Sequence, residues 1–183
     1  VLAGGLSRFV QAAEGHRHRF EGIAHPMATS AGSLYPPPHA VRLDFGVTAR
    51  GAEWIDELAE AAASRCVTTT TRVVVAHCDW RVENVSISGD RIVAVYDWDS
   101  VGLVEEVAAV AGAALTFTVD WHGEHPRRFP SLPEIAGFVR DYESARGTAF
   151  DHDEQEQLCA HMVAALAYGA RCERRHRCAD RPC

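Results

Sequence analysis

His77-Cys78-Asp79-Trp80-Arg81-Val82-Glu83-Asn84 is followed after a short interval by Asp97-Trp98-Asp99, and the architecture of the chain turns on these two polar segments. Between the two segments, Val85 to Ser88 and Arg91 to Tyr96 are strand-like runs joined by Gly89-Asp90, a dipeptide able to supply the positive φ angles of a tight hairpin turn. Antiparallel pairing brings the loop ahead of the first run and the loop behind the second to the same end. The pattern H-x-D-x-x-x-x-N, hairpin, D therefore predicts an acid, an amide and a second acid facing one cavity.

These residue types suit one kind of chemistry. Transfer of a phosphoryl group to a hydroxyl needs an acceptor for the departing proton, a metal on the terminal phosphates and in-line alignment of the reacting oxygens. Asp79 can orient a hydroxyl and take its proton. Asn84 can offer an amide oxygen, and Asp97 a carboxylate, to Mg²⁺, which prefers hard oxygen donors. His77 is read as a brace for the loop rather than a titrating group. The plainer alternative makes Asp79 a turn residue and Asn84 a strand cap, and the register of the hairpin with the second acidic loop speaks against it. Trp80 and Trp98 either wall the cavity or belong to the core.

The compound motif resembles the catalytic loop of kinase-fold phosphoryl-transfer enzymes, and within them the aminoglycoside phosphotransferase family with its choline and fructosamine kinase relatives. His77, Asp79, Asn84, the hairpin and Asp97-Trp98-Asp99 carry the resemblance, the triplet standing where protein kinases have Asp-Phe-Gly. Looser similarity runs on to Ala167-Tyr168-Gly169-Ala170-Arg171-Cys172-Glu173. The resemblance implies an α+β, mainly α fold, the C-terminal lobe of a kinase-like protein with a short β-hairpin beside the catalytic loop. It also implies ATP and Mg²⁺ as cofactors, Asp79 as base, Asn84 and Asp97 as metal ligands, and a small hydroxylated acceptor, aminoglycoside-like or otherwise polar. Acids on the C-terminal helices of such proteins meet the acceptor, which makes Asp99, Asp141, Glu143, Asp151 and Asp153, with Glu154 and Glu156, candidates. Acids in a first helical turn also have a simpler origin in the helix dipole.

The sequence departs from the family in several places. No glycine-rich G-x-G-x-x-G loop is present, and all 18 basic residues are Arg, so no lysine can pair with the α and β phosphates. The resemblance implies an N-terminal nucleotide-binding lobe outside these residues. A non-catalytic kinase-like binding module, or a truncated pseudokinase, is the rival reading. After the metal loop, Val101 to Val110 offers only Glu105 and Glu106 where the family often has further Asp residues.

With 183 residues, 47 % hydrophobic, the chain is expected to form a single domain over 1–183. A net charge of −7 argues against nucleic acid as a partner. The apolar run Val107 to Leu115 is too short for a membrane span of about 20 residues, and a soluble, cytoplasmic protein is expected. Six cysteines without a Cys-x-x-Cys pair are read as mostly reduced thiols. Cys172, His176, Cys178 and Cys183 match no usual zinc spacing.

Helical periodicity predicts a short helix from Val1 to about Glu14 and an amphipathic one over Ala52 to Cys66 with Ile55, Leu58, Ala59, Ala62 and Cys66 inward. Residues 15–46, rich in Gly, Pro and His, are expected to be an extended connection. The β-branched run Val73 to Val75 is read as a buried strand. A helix is expected over roughly Val104 to Phe117, and a His- and Arg-bearing loop over Trp121 to Pro130. Ser131-x-x-Glu134 and Asp151-x-x-Glu154 announce two more helices, the last with Leu158, Met162, Ala165 and Leu166 inward. The basic end formed by Arg171, Arg174, Arg175 and Arg177 is read as compensation of the last helix's dipole.

Overall fold

A computed structural model describes residues 1–23, 33–37, 45–46, 48–66, 71–120 and 129–180, with side chains to residue 174. The fold is α+β and mainly helical: α1 (Leu2–Ala13), α2 (Glu53–Cys66), β1 (Val73–His77), β2 (Val85–Ser88), β3 (Arg91–Val95), β4 (Val101–Glu105), α3 (Glu106–Thr116), α4 (Leu132–Arg146) and α5 (His152–Asp180). No helix among the described residues is long and apolar enough to cross a membrane.

Two small antiparallel ladders position everything that follows. In the first, β1 pairs with β4 from Val73↔Glu105 to His77↔Val101. In the second, β2 pairs with β3 from Val85↔Val95 to Ser88↔Arg91, with a register shift between Ser86 and Ile87 that leaves Val93 unmatched. The hairpin turn is Gly89-Asp90 as the sequence suggests, but only Gly89 takes a positive φ, +62°. A glycine in the first central position alone is the type II′ pattern.

The strand β4 is absent from the sequence reading, which begins a helix at about Val104; the helix starts at Glu106. Its run Val101-Gly102-Leu103-Val104-Glu105 looks too short and too mixed to separate from the Ala-rich stretch behind it. Only pairing with β1 makes it a strand, because β1 is buried from Val74 onward and its backbone groups need partners.

The core gathers α1, β1, the hairpin, α3, α4 and the first turns of α5 around Leu6, Val10, Val74, Trp80, Val107, Val110, Phe138, Tyr142, Phe150 and Leu158. Gly5 is what lets α1 approach. A Cβ built there would stand 2.2 Å from Ile92 Cδ1 and 3.1 Å from Trp80 Cζ2. The two capping boxes are present. The Ser131 N–H donates to Glu134 Oε2 (2.8 Å) at the start of α4. At the start of α5, Asp151 and Glu154 exchange bonds of 2.9 and 2.8 Å.

Four expectations need correction. In α2, Leu58 is 48 % exposed, so the inward face is Ile55, Ala59 and Ala62. In α5, Ala165 is exposed and Leu166 is 55 % exposed, and the buried apolar positions there include Leu158, Ala160 and Ala167. The stretch expected to be extended from residue 15 opens instead as a 3-10 helix, Glu14–Arg19. Further on, Tyr35 and Phe45 pack against α2 and α5 beside Tyr168, while 24–32 and 38–44 lie outside the described residues. The last correction is Arg171, read as offsetting the dipole at the end of the last helix: α5 runs on to Asp180, and Arg171 is 2 % exposed inside the fold. Its guanidinium donates to Thr48 O (2.7 Å) and Phe45 O and pairs with Asp56 Oδ1 at 3.3 Å, fastening the segment ahead of α2 to α5.

The described cysteines Cys66, Cys78, Cys159 and Cys172 are free. The loop expected at Trp121 to Pro130 lies outside the described residues up to 128, as do the side chains of His176, Cys178 and Cys183.

Candidate active site

The open ends of the two ladders meet, and the candidate site lies at that meeting. β1 ends in His77 and runs into Asp79; β2 begins just after Asn84; β3 ends just before Asp97; and a 3-10 turn, Trp98–Ser100, feeds β4. Backbone bonds knit the loops together. The Cys78 N–H donates to Ser100 O (2.9 Å) and the Tyr96 N–H to Asn84 O (2.9 Å).

His77 is fully buried. Its Nε2 lies 2.8 Å from Tyr96 O, and its Nδ1 accepts from the Asp79 N–H at 3.3 Å. One neutral tautomer, with the proton on Nε2, satisfies both contacts. The ring thereby ties the loop carrying Asp79 to the loop carrying Asp97.

Asn84 is buried, and its amide NH₂ donates to Asp79 O (2.8 Å) and Asp79 Oδ2 (3.0 Å). Both amide hydrogens are thus spent on Asp79, which leaves the amide oxygen for another partner. Burial raises the Asp79 carboxyl above its ordinary value, outweighing Arg81 and Asn84, which lower it; the neighbouring Asp97 charge adds to the rise. A half-buried carboxylate of raised basicity is what proton acceptance from an alcohol calls for.

Asp97 is the single non-glycine among the described residues at positive φ, with φ 60° and ψ 50°. Its carboxyl is held below the ordinary value first by a hydrogen bond shared with Asp99 and then by the Ser100 hydroxyl, which donates to Oδ2 at 3.0 Å. Strained backbone of this kind survives where the surroundings over-determine it. The Asn84 amide oxygen and the exposed Asp97 carboxylate are hard donors, with the negative charges of Asp79 and Asp99 near by. That donor set fits Mg²⁺ better than a softer ion.

The two tryptophans part company. Trp80 is 1 % exposed, donates to Leu2 O (3.0 Å) and packs on His77 and Phe9, so it is core. Trp98 is 62 % exposed, its indole N–H bonded to Val95 O (2.9 Å) and its ring 5.8 Å from Phe9. Cys78 sits between His77 and Asp79, and burial together with Asp79 pushes its thiol up to about 12, which keeps it neutral.

The acids proposed for acceptor recognition do not form one group. Asp99 is exposed beside Asp97. Glu143 accepts from the Phe150 N–H (2.8 Å), and Asp151 caps α5, so both are accounted for by the α4–α5 junction. Asp153 is exposed in the first turn of α5. Asp141 lines a surface cavity of about 360 Å³ with Arg8, Asp90 and Ser144, at the turn end of the hairpin, opposite the end holding Asn84 and Asp97. Of the acids after Asp97-Trp98-Asp99, Glu105 pairs with His161 (2.9 Å), and Glu106 is buried against Tyr142 and Arg146.

Two residues at the site escape the motif reading. Arg81 Nη1 lies 3.0 Å from Asp79 Oδ1, and Arg81 Nε lies 2.9 Å from Glu83 Oε2. The alternation of charge through Asp79, Arg81 and Glu83 is visible in sequence, yet it gains meaning only once the loop folds back on itself. Comparison with protein-family models and with curated proteins finds no match to this chain.

Proposed function

We propose that this chain carries the catalytic loop of an ATP-dependent phosphotransferase that acts on a hydroxyl of a small polar molecule, as its resemblance to the aminoglycoside phosphotransferase family implies. The observation that carries the reading is the Asp79–Asn84 pair, bonded at 3.0 Å, with Asp97 delivered next to it by the bond between the Tyr96 N–H and Asn84 O. In the reaction, the acceptor hydroxyl hydrogen-bonds to Asp79 and gives up its proton to that carboxylate. Its oxygen forms a bond to the γ-phosphorus while the β–γ bridging P–O bond breaks, and ADP departs with the electron pair. Asn84 and Asp97 are the residues that would hold Mg²⁺, which when bound neutralises charge on the terminal phosphates. His77 keeps the two loops in register, and buried Trp80 backs the base.

The test is phosphoryl transfer from Mg·ATP to a panel of aminoglycosides, amino alcohols and sugars by the full-length protein. Asp79→Asn should lower the rate by about 10²-fold or more. Undiminished transfer by that variant would remove Asp79 from its role.

The absence of lysine supports a second reading, a kinase-like binding module without catalysis. Calorimetric titration of the full-length protein with Mg·ATP separates the two. The phosphotransferase binds it, whereas the non-catalytic module gives no heat of binding.

A further inference from the structure

The buried apolar side chains of the described residues gather into two clusters with no member in common. The larger joins α1, β1, the hairpin, α3, α4 and the start of α5 through bulky side chains such as Leu6, Trp80, Phe138 and Tyr142. The smaller holds Tyr35, Ala52, Ile55 and Ala59 against Ala167 of α5, with Phe45 and Tyr168 at its edge. Among helices and strands the main partner of α2 is α5, and the alanines between the two let them come close. Closeness is not burial, however. An alanine methyl removes far less apolar surface from water than a Leu or Phe side chain, and hydrophobic stabilisation follows that surface. Trp54 and Leu58 of α2, which could have added to it, point largely into solvent.

Polar contacts supply much of the remaining attachment. The Arg171 guanidinium of α5 donates to Thr48 O and Phe45 O and pairs with Asp56 Oδ1. The Tyr35 hydroxyl donates to the same Asp56 oxygen at 2.7 Å, and Arg174 donates to Arg50 O. A buried ion pair returns little net stability, because both charges regain water when it opens. The Thr48 hydroxyl is buried without a hydrogen-bond partner, so it too gains by meeting water. The larger cluster contains no side chain of α2 or of the residues ahead of it between 33 and 52, and therefore keeps its packing when they leave.

We infer that α2, with the described residues packed ahead of it, is a flap latched by Arg171, which comes off α5 as a unit while the larger cluster and the candidate active site stay folded. Openings of this kind involve contiguous supersecondary units and cost less than global unfolding. Detachment uncovers Ala167 and Tyr168, an apolar strip on α5 that the closed form covers. The inference stands independently of the phosphotransferase reading.

The experiment is native-state amide hydrogen exchange on the full-length protein across a urea series, read by mass spectrometry of peptides from α2, β1 and α3. Without urea, the interior amides of α2 should exchange about 10²-fold or more faster than those of β1 and α3. Their urea dependence should also be weaker, because opening the flap exposes less surface than global unfolding does. Arg171→Met removes the latch and should speed exchange in α2 by about tenfold or more, while β1 and α3 stay within about threefold of wild type. Equal protection and equal urea dependence of the three elements in wild type overturn the inference. Unchanged exchange of α2 in Arg171→Met overturns the latch. Loss of protection in all three elements of that variant, a failure to fold included, overturns the independence of the flap.

Discussion

Asp79 is half-buried, and the partial loss of water around its carboxylate makes its removal informative. Its folded pKa is raised above the unfolded value of about 3.9. The folded state therefore binds the proton more tightly, and the group's contribution to stability is present below about pH 4 and lost as pH rises through the folded pKa. Asp79→Asn should accordingly melt higher than wild type at pH 7.5, and the advantage should vanish on titration to about pH 4; a lower melting temperature at pH 7.5 would contradict the burial argument. Asp97 supports a second comparison. At φ 60°, a Cβ costs about 1–2 kcal/mol that glycine escapes. Asp97→Gly should therefore be more stable than Asp97→Ala by about 1 kcal/mol in urea unfolding, although both lose the carboxylate and should bind Mg²⁺ equally poorly. At this scale the sequence anticipated a juxtaposition: His77, Asp79, Asn84 and Asp97 lie at one place. It was silent on Arg81 and Glu83, because a salt bridge across a loop depends on where the loop turns.

Among the elements, α1 and the hairpin meet at a contact without slack. Gly5→Ala gains helix propensity of about 1 kcal/mol, but its methyl would overlap Ile92 Cδ1. Overpacking of this kind costs about 1–3 kcal/mol, so the variant should be less stable than wild type. Gly5→Ala with Ile92→Val should recover most of the loss, since the clashing atom is then gone. Thermal unfolding of the three proteins checks this, and additive effects would show that the two sites do not touch. The capping boxes of α4 and α5 and the Gly89 turn were legible because each is a local bargain between a few neighbouring residues. The inward faces of α2 and α5 were read less well. Leu58 and Leu166 have the right spacing and hydrophobicity, but which stripe of a helix is covered depends on the angle at which it crosses its neighbours.

The whole molecule is tied together through Glu106. This side chain is 1 % exposed and accepts from the Tyr142 hydroxyl of α4 at 2.8 Å. It also pairs with Arg146 at 3.2 Å and Arg72 at 3.4 Å, while Arg146 reaches Glu154 of α5 at 3.0 Å. The segment before β1 and the helices α3, α4 and α5 thus share one carboxylate. Glu106→Ala leaves the buried Tyr142 hydroxyl without its acceptor, while Arg146 keeps Glu154, and should cost about 1–3 kcal/mol, read as a shift in the urea midpoint. Arg72→Ala, on the 43 % exposed partner, should cost about 1 kcal/mol or less. Sequence alone offers Glu106 only as one of two acids after Asp97-Trp98-Asp99; its partners lie far along the chain. By itself the sequence determined the hairpin, the capped helices and the order in which His77, Asp79, Asn84 and Asp97 arrive, since each follows from interactions between near neighbours. Only the tertiary structure decided that Val101 to Glu105 is a strand, that Arg171 and Glu106 are buried, and that Arg81 lies against Asp79. Burial and ion pairing belong to surfaces brought together from distant parts of the chain, and no local pattern encodes them.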